Sequence, residues 1–158
     1  MNIVMNTLHD ILENLHNNKV KYTLYYNPDG FESVEKVVKH LSVDEDMVLK
    51  TMIVKSVKGF YTFLIRGGKK LDINIVRLEI QDEEARLAKK TELIEGLGMP
   101  PGAISPLHPI MTEKTTIYLD LDSTGYDEVI VGGGTLYHVI KISMDELVRI
   151  LKPYYSTL

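Results

Sequence analysis

The chain has 158 residues, 44% hydrophobic and 25% charged, the size and balance of one compact domain (1–158) with an ordinary core. With no cysteine, disulfides, thiolate metal sites and a thiol nucleophile are excluded together, and a cytoplasmic setting is expected. A formal net charge of -4 argues against coating nucleic acid by bulk phosphate neutralisation, and no apolar run approaches the roughly 20 residues that cross a bilayer, so the chain reads as soluble with no membrane partner.

Val4, Leu8, Ile11, Leu12 and Leu15 fall at helical spacing and predict a first helix over 4–16, followed by a strand over Val20 to Tyr26. Asn27-Pro28-Asp29-Gly30 is a turn signal, because proline presets one backbone angle and glycine permits a positive one. Ser33 then caps a helix with an apolar stripe of Val34, Val37, Val38 and Leu41, and Ser42 to Glu45 has the spacing of a capping box before a short helical turn. Val48 to Lys55 and Phe60 to Ile65 read as two strands joined at Lys58-Gly59, with a further turn at Gly67-Gly68 leading to Leu71-Asp72-Ile73.

Asp82 to Gly96 has helical composition, with a break near Thr91. The loop GMPPGAISPL follows, from Gly98 to Leu107. Thr116 to Leu121, Glu128 to Val131 and Leu136 to Ile142 have the pattern of strands, and Met144 to Leu151 that of a closing helix. Mixed elements with several hairpin-length connections favour an α+β fold with a largely antiparallel or mixed sheet, over a doubly wound parallel one.

Gly132-Gly133-Gly134 follows a strand, but a strand and not a helix comes next, so the dinucleotide-binding reading fails. A hairpin turn explains part of the run; the rest would leave main-chain N–H groups bare for a ligand. His9, Glu13 and His16 share a helix face, yet without cysteine or an HExxH arrangement they make a poor metal site, and neither metal nor cofactor is expected. Ser105 lacks the GxSxG elbow of a nucleophilic serine. Lys50 shares a strand face with Val48, Met52 and Val54, so its ammonium must snorkel, pair or face a ligand. In GMPPGAISPL the glycines permit close approach while the prolines limit the loop's freedom.

Together these residues resemble the YbaK/ProX-type aminoacyl-tRNA deacylases, which are similar to the editing domain inserted in bacterial prolyl-tRNA synthetases. The likeness runs from about Tyr22 to Leu151. It rests on Phe31, Lys50-Thr51, Leu71-Asp72, the GxxPG loop Gly98 to Gly102 continuing as Ile104-Ser105-Pro106-Leu107, Asp120 and the glycines at 132–134. The resemblance implies a curved, barrel-like mixed sheet surrounded by helices, with a pocket for the acceptor 3' end of aminoacyl-tRNA.

It also implies hydrolysis of the ester of a mischarged amino acid, with alanyl or cysteinyl esters of proline tRNA as precedents, and leaves open a synthetase that delivers the substrate. By the same resemblance Lys50 is the catalytic lysine, Thr51 lines the pocket, Tyr22 and Phe31 form its walls, Gly98, Pro101 and Gly102 make the closing loop, and Gly132 and Gly133 contribute to binding. The substrate's own ribose hydroxyl helps to activate water in that family, so a protein general base is not required. Met99, Ala103, His108-Pro109 and Gly132 depart from the usual pattern at the pocket rim, which bears on the amino acid accepted. Two other classes fit the same residues: a non-catalytic module binding an aminoacyl or nucleotide end, and a structural interaction domain in which Lys50 merely caps a strand.

Overall fold

The structure, a computed structural model, describes residues 7–158. Helix α1 (Thr7–Asn17) buries Thr7, Ile11 and Leu15 along one stripe; Val4, which the sequence pattern adds to that stripe, lies outside the described residues. Strand β1 (Tyr22–Tyr26) ends in the expected turn, where the Gly30 amide donates to the Asn27 carbonyl at 2.9 Å and Gly30 adopts φ +97°. Helix α2 (Val34–Leu41) is capped by Ser33, whose hydroxyl accepts from the Lys36 amide. Ser42 is not a cap for the next turn: it ends α2 in the left-handed conformation, and Asp44 caps the 3-10 turn Glu45–Met47 instead.

Strands β2 (Leu49–Ser56) and β3 (Gly59–Arg66) form the antiparallel hairpin expected around Lys58-Gly59. They anchor a five-stranded sheet in the order β4-β2-β3-β5-β8, in which β4 (Arg86–Leu87) pairs antiparallel and β5 (Thr115–Asp120) and β8 (Tyr154–Ser156) pair parallel. A second sheet has the order β1-β7-β6, with β6 (Glu128–Gly132) and β7 (His138–Ser143) forming a hairpin. The parallel bridge between Val48 and Ile130 joins the two. The fold is thus mixed α+β, and its curvature comes from two sheets meeting at one seam; the sheet does not close into a barrel.

The main core lies between the sheets and takes residues from α1, β2, β5, β6, β7 and α6 (Met144–Leu151), among them Ile11, Leu49, Leu119, Val131, Ile140 and Leu147. A second cluster covers the other face of the large sheet, where Val76 and Ile80 of α3 (Ile73–Ile80) meet Val54, Phe63 and Ile65. A third packs Phe31 and Val37 against Val48, Ile130 and Val139 at the seam. Among the described residues no helix is long and apolar enough to cross a membrane.

Three segments differ from their sequence expectation. Leu71-Asp72-Ile73 enters α3, with Asp72 capping the Asn74 amide at 2.9 Å. The helix expected over Asp82 to Gly96 is instead a turn, strand β4, and a helical segment α4 (Lys90–Glu92) that widens into a π-turn over Leu93–Leu97. Asp82 is taken up by the β2–β3 hairpin, accepting from Ser56 Oγ at 2.6 Å and the Val57 amide at 3.1 Å. Beyond the loop, Pro109 at the first helical position opens α5 (Pro109–Lys114), with His108 Nδ1 accepting from the Ile110 amide.

Candidate functional site

The proline-rich loop starts as a helix terminus. Gly98, at φ +69°, ends the π-turn with its amide bonded to the Ile94 and Leu93 carbonyls, and Met99 drops into the core with no exposed surface. Pro100 to Ala103 then form a turn closed by Ala103 N–H donating to the Pro100 carbonyl at 3.1 Å. Pro101 stands second and Gly102 third with φ +81°, the arrangement a type II turn demands. The closing bond uses the Ala103 amide, not that of Gly102.

The next two residues cross the end of β6. Ser105, fully buried, donates from Oγ to the Gly132 carbonyl at 2.6 Å and accepts from the Leu107 amide at 3.2 Å. A Cβ at Gly132 would stand 2.6 Å from the Ile104 carbonyl oxygen, so only glycine lets loop and strand approach this closely. The expectation of bare N–H groups along the glycine run is corrected at Gly133, whose amide donates to the His138 carbonyl at 3.0 Å. Gly134, at φ +86°, packs against Thr7 and Ile11 of α1, so the run serves close packing.

At the seam between the sheets, loop, β2, α2 and β6 surround a cavity of about 240 Å³. Phe31, Lys50, Thr51, Gly102 and Gly132 all line it. Its remaining wall is mostly apolar, including Val37, Val48, Met52, Ile104, Val131 and Val139, with Glu32 and Ser33 at the start of α2. Strand alternation puts Lys50 on one face of β2 with Met52 and Val54, while Leu49, Thr51 and Ile53 take the other.

The Lys50 ammonium donates to the Lys69 carbonyl, in the turn that follows β3. Burial pulls its pKa below the usual lysine value, with Glu45 partly opposing. His138 is lowered by burial as well, and its Nδ1 lies 2.7 Å from Thr135 Oγ1.

Gly98, Pro101 and Gly133 sit beside this cavity's walls in sequence but do not line it. Tyr22 is elsewhere. It pairs with Ile142, three residues and roughly 10 Å along the strand from the Tyr25–Val139 pair near the seam. There it lines a larger cavity of about 470 Å³ with Thr23, Ile142 and Ser143 and five charged residues, Lys19, Lys21, Glu128, Lys141 and Glu146. That second cavity lacks the glycine-bearing loop. Glu32, just before α2, also lines the cavity, and nothing in its residue type or local pattern marks it; Ser105 does not line the cavity but ties the loop to β6 behind it. His9, read as a poor metal ligand, pairs with Glu13 at 3.3 Å.

Residues 29–150 match the Aminoacyl-tRNA editing domain family, and the chain belongs to it. It is 29% identical over 113 residues to the Proline--tRNA ligase of Pseudothermotoga lettingae, covering 71% of this chain and 19% of that protein. Against the Proline--tRNA ligase of Kosmotoga olearia it is 28% identical over 104 residues, 66% of this chain and 18% of the relative. The chain therefore spans about a fifth of the length of these relatives. A solved structure described as a candidate trans-editing enzyme for prolyl tRNA synthetase superposes with a TM-score of 0.83 at 20% identity, covering 97% of this chain and 96% of that one, which establishes the shared fold.

Proposed function

We propose that the chain, acting as a single domain over 1–158, hydrolyses the ester of mischarged aminoacyl-tRNA, with a small amino acid such as alanine or cysteine on proline tRNA as substrate. The observation that carries this reading is the convergence of Lys50 and Thr51 with Phe31, Gly102 and Gly132 on one cavity. At about 240 Å³ it lies below the roughly 300–1,000 Å³ typical of sites for drug-sized ligands, and it suits a small aminoacyl group. Phe31, Val37 and Val139 make the apolar wall against which the side chain rests, and Thr51 stands beside the reacting end.

The chemistry asks little of the protein. An aminoacyl ester is already activated, so a site that orients it and stabilises the developing oxyanion supplies what is needed; one such donor is worth about 2.7–4 kcal/mol elsewhere. Lys50 lines the cavity, and its ammonium, held at the Lys69 carbonyl, is the positive charge this reading brings to the ester. Gly102, lacking a side chain, lets the main chain of the turn come close to the ester. Water is activated with help from the terminal ribose hydroxyl, in keeping with the family resemblance. A second hydrolytic step is what a synthetase needs for small substrates, because a missing methylene changes binding by only about 1–3 kcal/mol.

A panel of tRNAs mischarged with alanine, cysteine, serine and proline tests the reading. Ester loss dependent on the protein, favouring the small residues and cut to a small residual rate by Lys50→Ala, is the expected result. Binding of the aminoacylated end without turnover would make the domain a recognition module, and would overturn the hydrolase.

A further inference from the structure

Asp120 ends β5 with no exposed surface, in register just beyond the Leu64–Leu119 pair. A carboxylate so buried is costly unless it is paired. Here both oxygens face the turn that follows β3. Oδ1 accepts from the Lys69 ammonium at 3.4 Å, and Oδ2 lies 3.3 Å from Arg66 Nε as an ion pair without a hydrogen bond, so one carboxylate faces the first and last residues of the turn Arg66-Gly67-Gly68-Lys69. Arg66 also reaches Asp122 at 3.5 Å. The Asp120 carbonyl accepts from Ser123 Oγ at 2.6 Å, which secures the carboxylate's own backbone.

The opposite side of the turn is fixed too. The Gly68 amide donates to Asp46 Oδ1 at 3.0 Å, and a Cβ at Gly67 would stand 2.7 Å from Val34 Cγ1, so the turn lies hard against α2 and the 3-10 segment. What this clamped turn presents is the Lys69 carbonyl, and that carbonyl accepts the Lys50 ammonium. Asp120 therefore connects to Lys50 through one residue: its side chain holds the Lys69 side chain, and the Lys69 main chain holds the Lys50 side chain.

We infer that Asp120 is a positioning residue for the deacylase, setting where the Lys50 ammonium rests through the Arg66–Lys69 turn. The inference rests on the role given to Lys50 above. Its physical basis is that long lysine side chains have several rotamers of similar energy, and a fixed acceptor selects among them. The cost of an ångström of misplacement is large, up to about a hundredfold in rate. The Asp120 carboxylate itself touches no substrate.

Two variants weaken the grip differently. Asp120→Asn keeps the shape and removes the charge; Lys69→Met keeps the aliphatic stem and the carbonyl but cannot reach Asp120 with a charge, and, being at a partly exposed position, leaves the core intact. Each is tested on alanyl-tRNA for kcat and KM separately, and by the 15N signal of the Lys50 ammonium, with thermal midpoints as the control for folding. The expected result is a fall in kcat of about tenfold or more with KM nearly unchanged, together with movement or loss of the Lys50 ammonium signal in both variants. In a Lys50→Ala background the same substitutions should change the residual rate by no more than about twofold.

An unaltered Lys50 signal and unaltered kcat in folded Lys69→Met would overturn the inference, as would equal losses with and without Lys50. If Lys50→Ala alone left deacylation intact, the role of Lys50 would fail instead, and the two failures are told apart by that single variant.

Discussion

Ser105 Oγ and the Gly132 carbonyl, 2.6 Å apart, tie the proline-rich loop to the last residue of β6. The bond starts from a fully buried hydroxyl and links two of the segments, loop and β6, that surround the cavity lined by Lys50. Ser105→Ala leaves that carbonyl and the Leu107 amide without their partner. The expected cost is about 1–3 kcal/mol in urea unfolding, the penalty for an unsatisfied buried group. Deacylation should fall further than stability does, because the loop can then drift from the sheet.

Gly132→Ala and Gly102→Ala separate space from backbone strain. At Gly132 the new methyl meets a backbone oxygen at 2.6 Å, so the loop itself must move, and a loss of activity of about tenfold or more is expected. At Gly102 the methyl meets Leu136 Cδ2, the end of a side chain that can swing aside, but φ +81° remains unfavourable for alanine by about 1–2 kcal/mol. Unfolding curves and deacylation rates on both variants check this: the larger kinetic loss belongs to Gly132.

Met99→Ala tests whether the loop is anchored from below. Met99 has no exposed surface and belongs to the main core, so removing its side chain should cost about 2–5 kcal/mol. A thermal midpoint unchanged from that of the parent would mean that the loop is held at Ser105 alone.

Glu92 gives a prediction in pH. Its carboxylate takes Arg86 through two bonds, at 2.7 and 3.2 Å, and the Lys89 amide at 2.8 Å, and these hold its pKa at about 2. Because the folded value lies below the ordinary one near about 4.3, the contribution to stability is complete above that value and drains away as pH falls toward about 2. Glu92→Gln should flatten this limb of the stability curve, measured by urea unfolding at a series of acid pH values. An unchanged slope would show that the pair does not persist in solution.

Much of this was legible in the sequence, and the misses have physical reasons. Phe31, Lys50-Thr51 and the GxxPG loop are weak markers singly but specific in their order and spacing, and the structure gathers Phe31, Lys50, Thr51 and Gly102 round one cavity. Helix α3 was hidden because its run INIVRLEI is rich in β-branched residues, which suit a strand equally well; Asp72 as its cap is what tips the segment to helix. Over Asp82 to Gly96 the glutamates, alanines and leucines favour helix locally, but Asp82 is claimed by Ser56 and Arg86-Leu87 by the edge of β2, contacts that no local pattern encodes.

Tyr22 lines a different cavity from Lys50, and the reason is similar. A strand is easy to read, whereas which end of it meets the site depends on the register with β7. Asp120 and Ser105 are legible as residues but not as partners, since each acts across a long span of chain.

The most direct test uses a non-hydrolysable 3'-amide analogue of alanyl-adenosine, titrated into 15N-labelled protein. The largest amide shifts are expected to cluster at Phe31, Thr51, Gly102 and Gly132, and Lys50→Ala to weaken or displace them. Shifts centred instead on Tyr22, Thr23 and Lys141, at the charged cavity on the far end of the small sheet, would contradict that placement of the site.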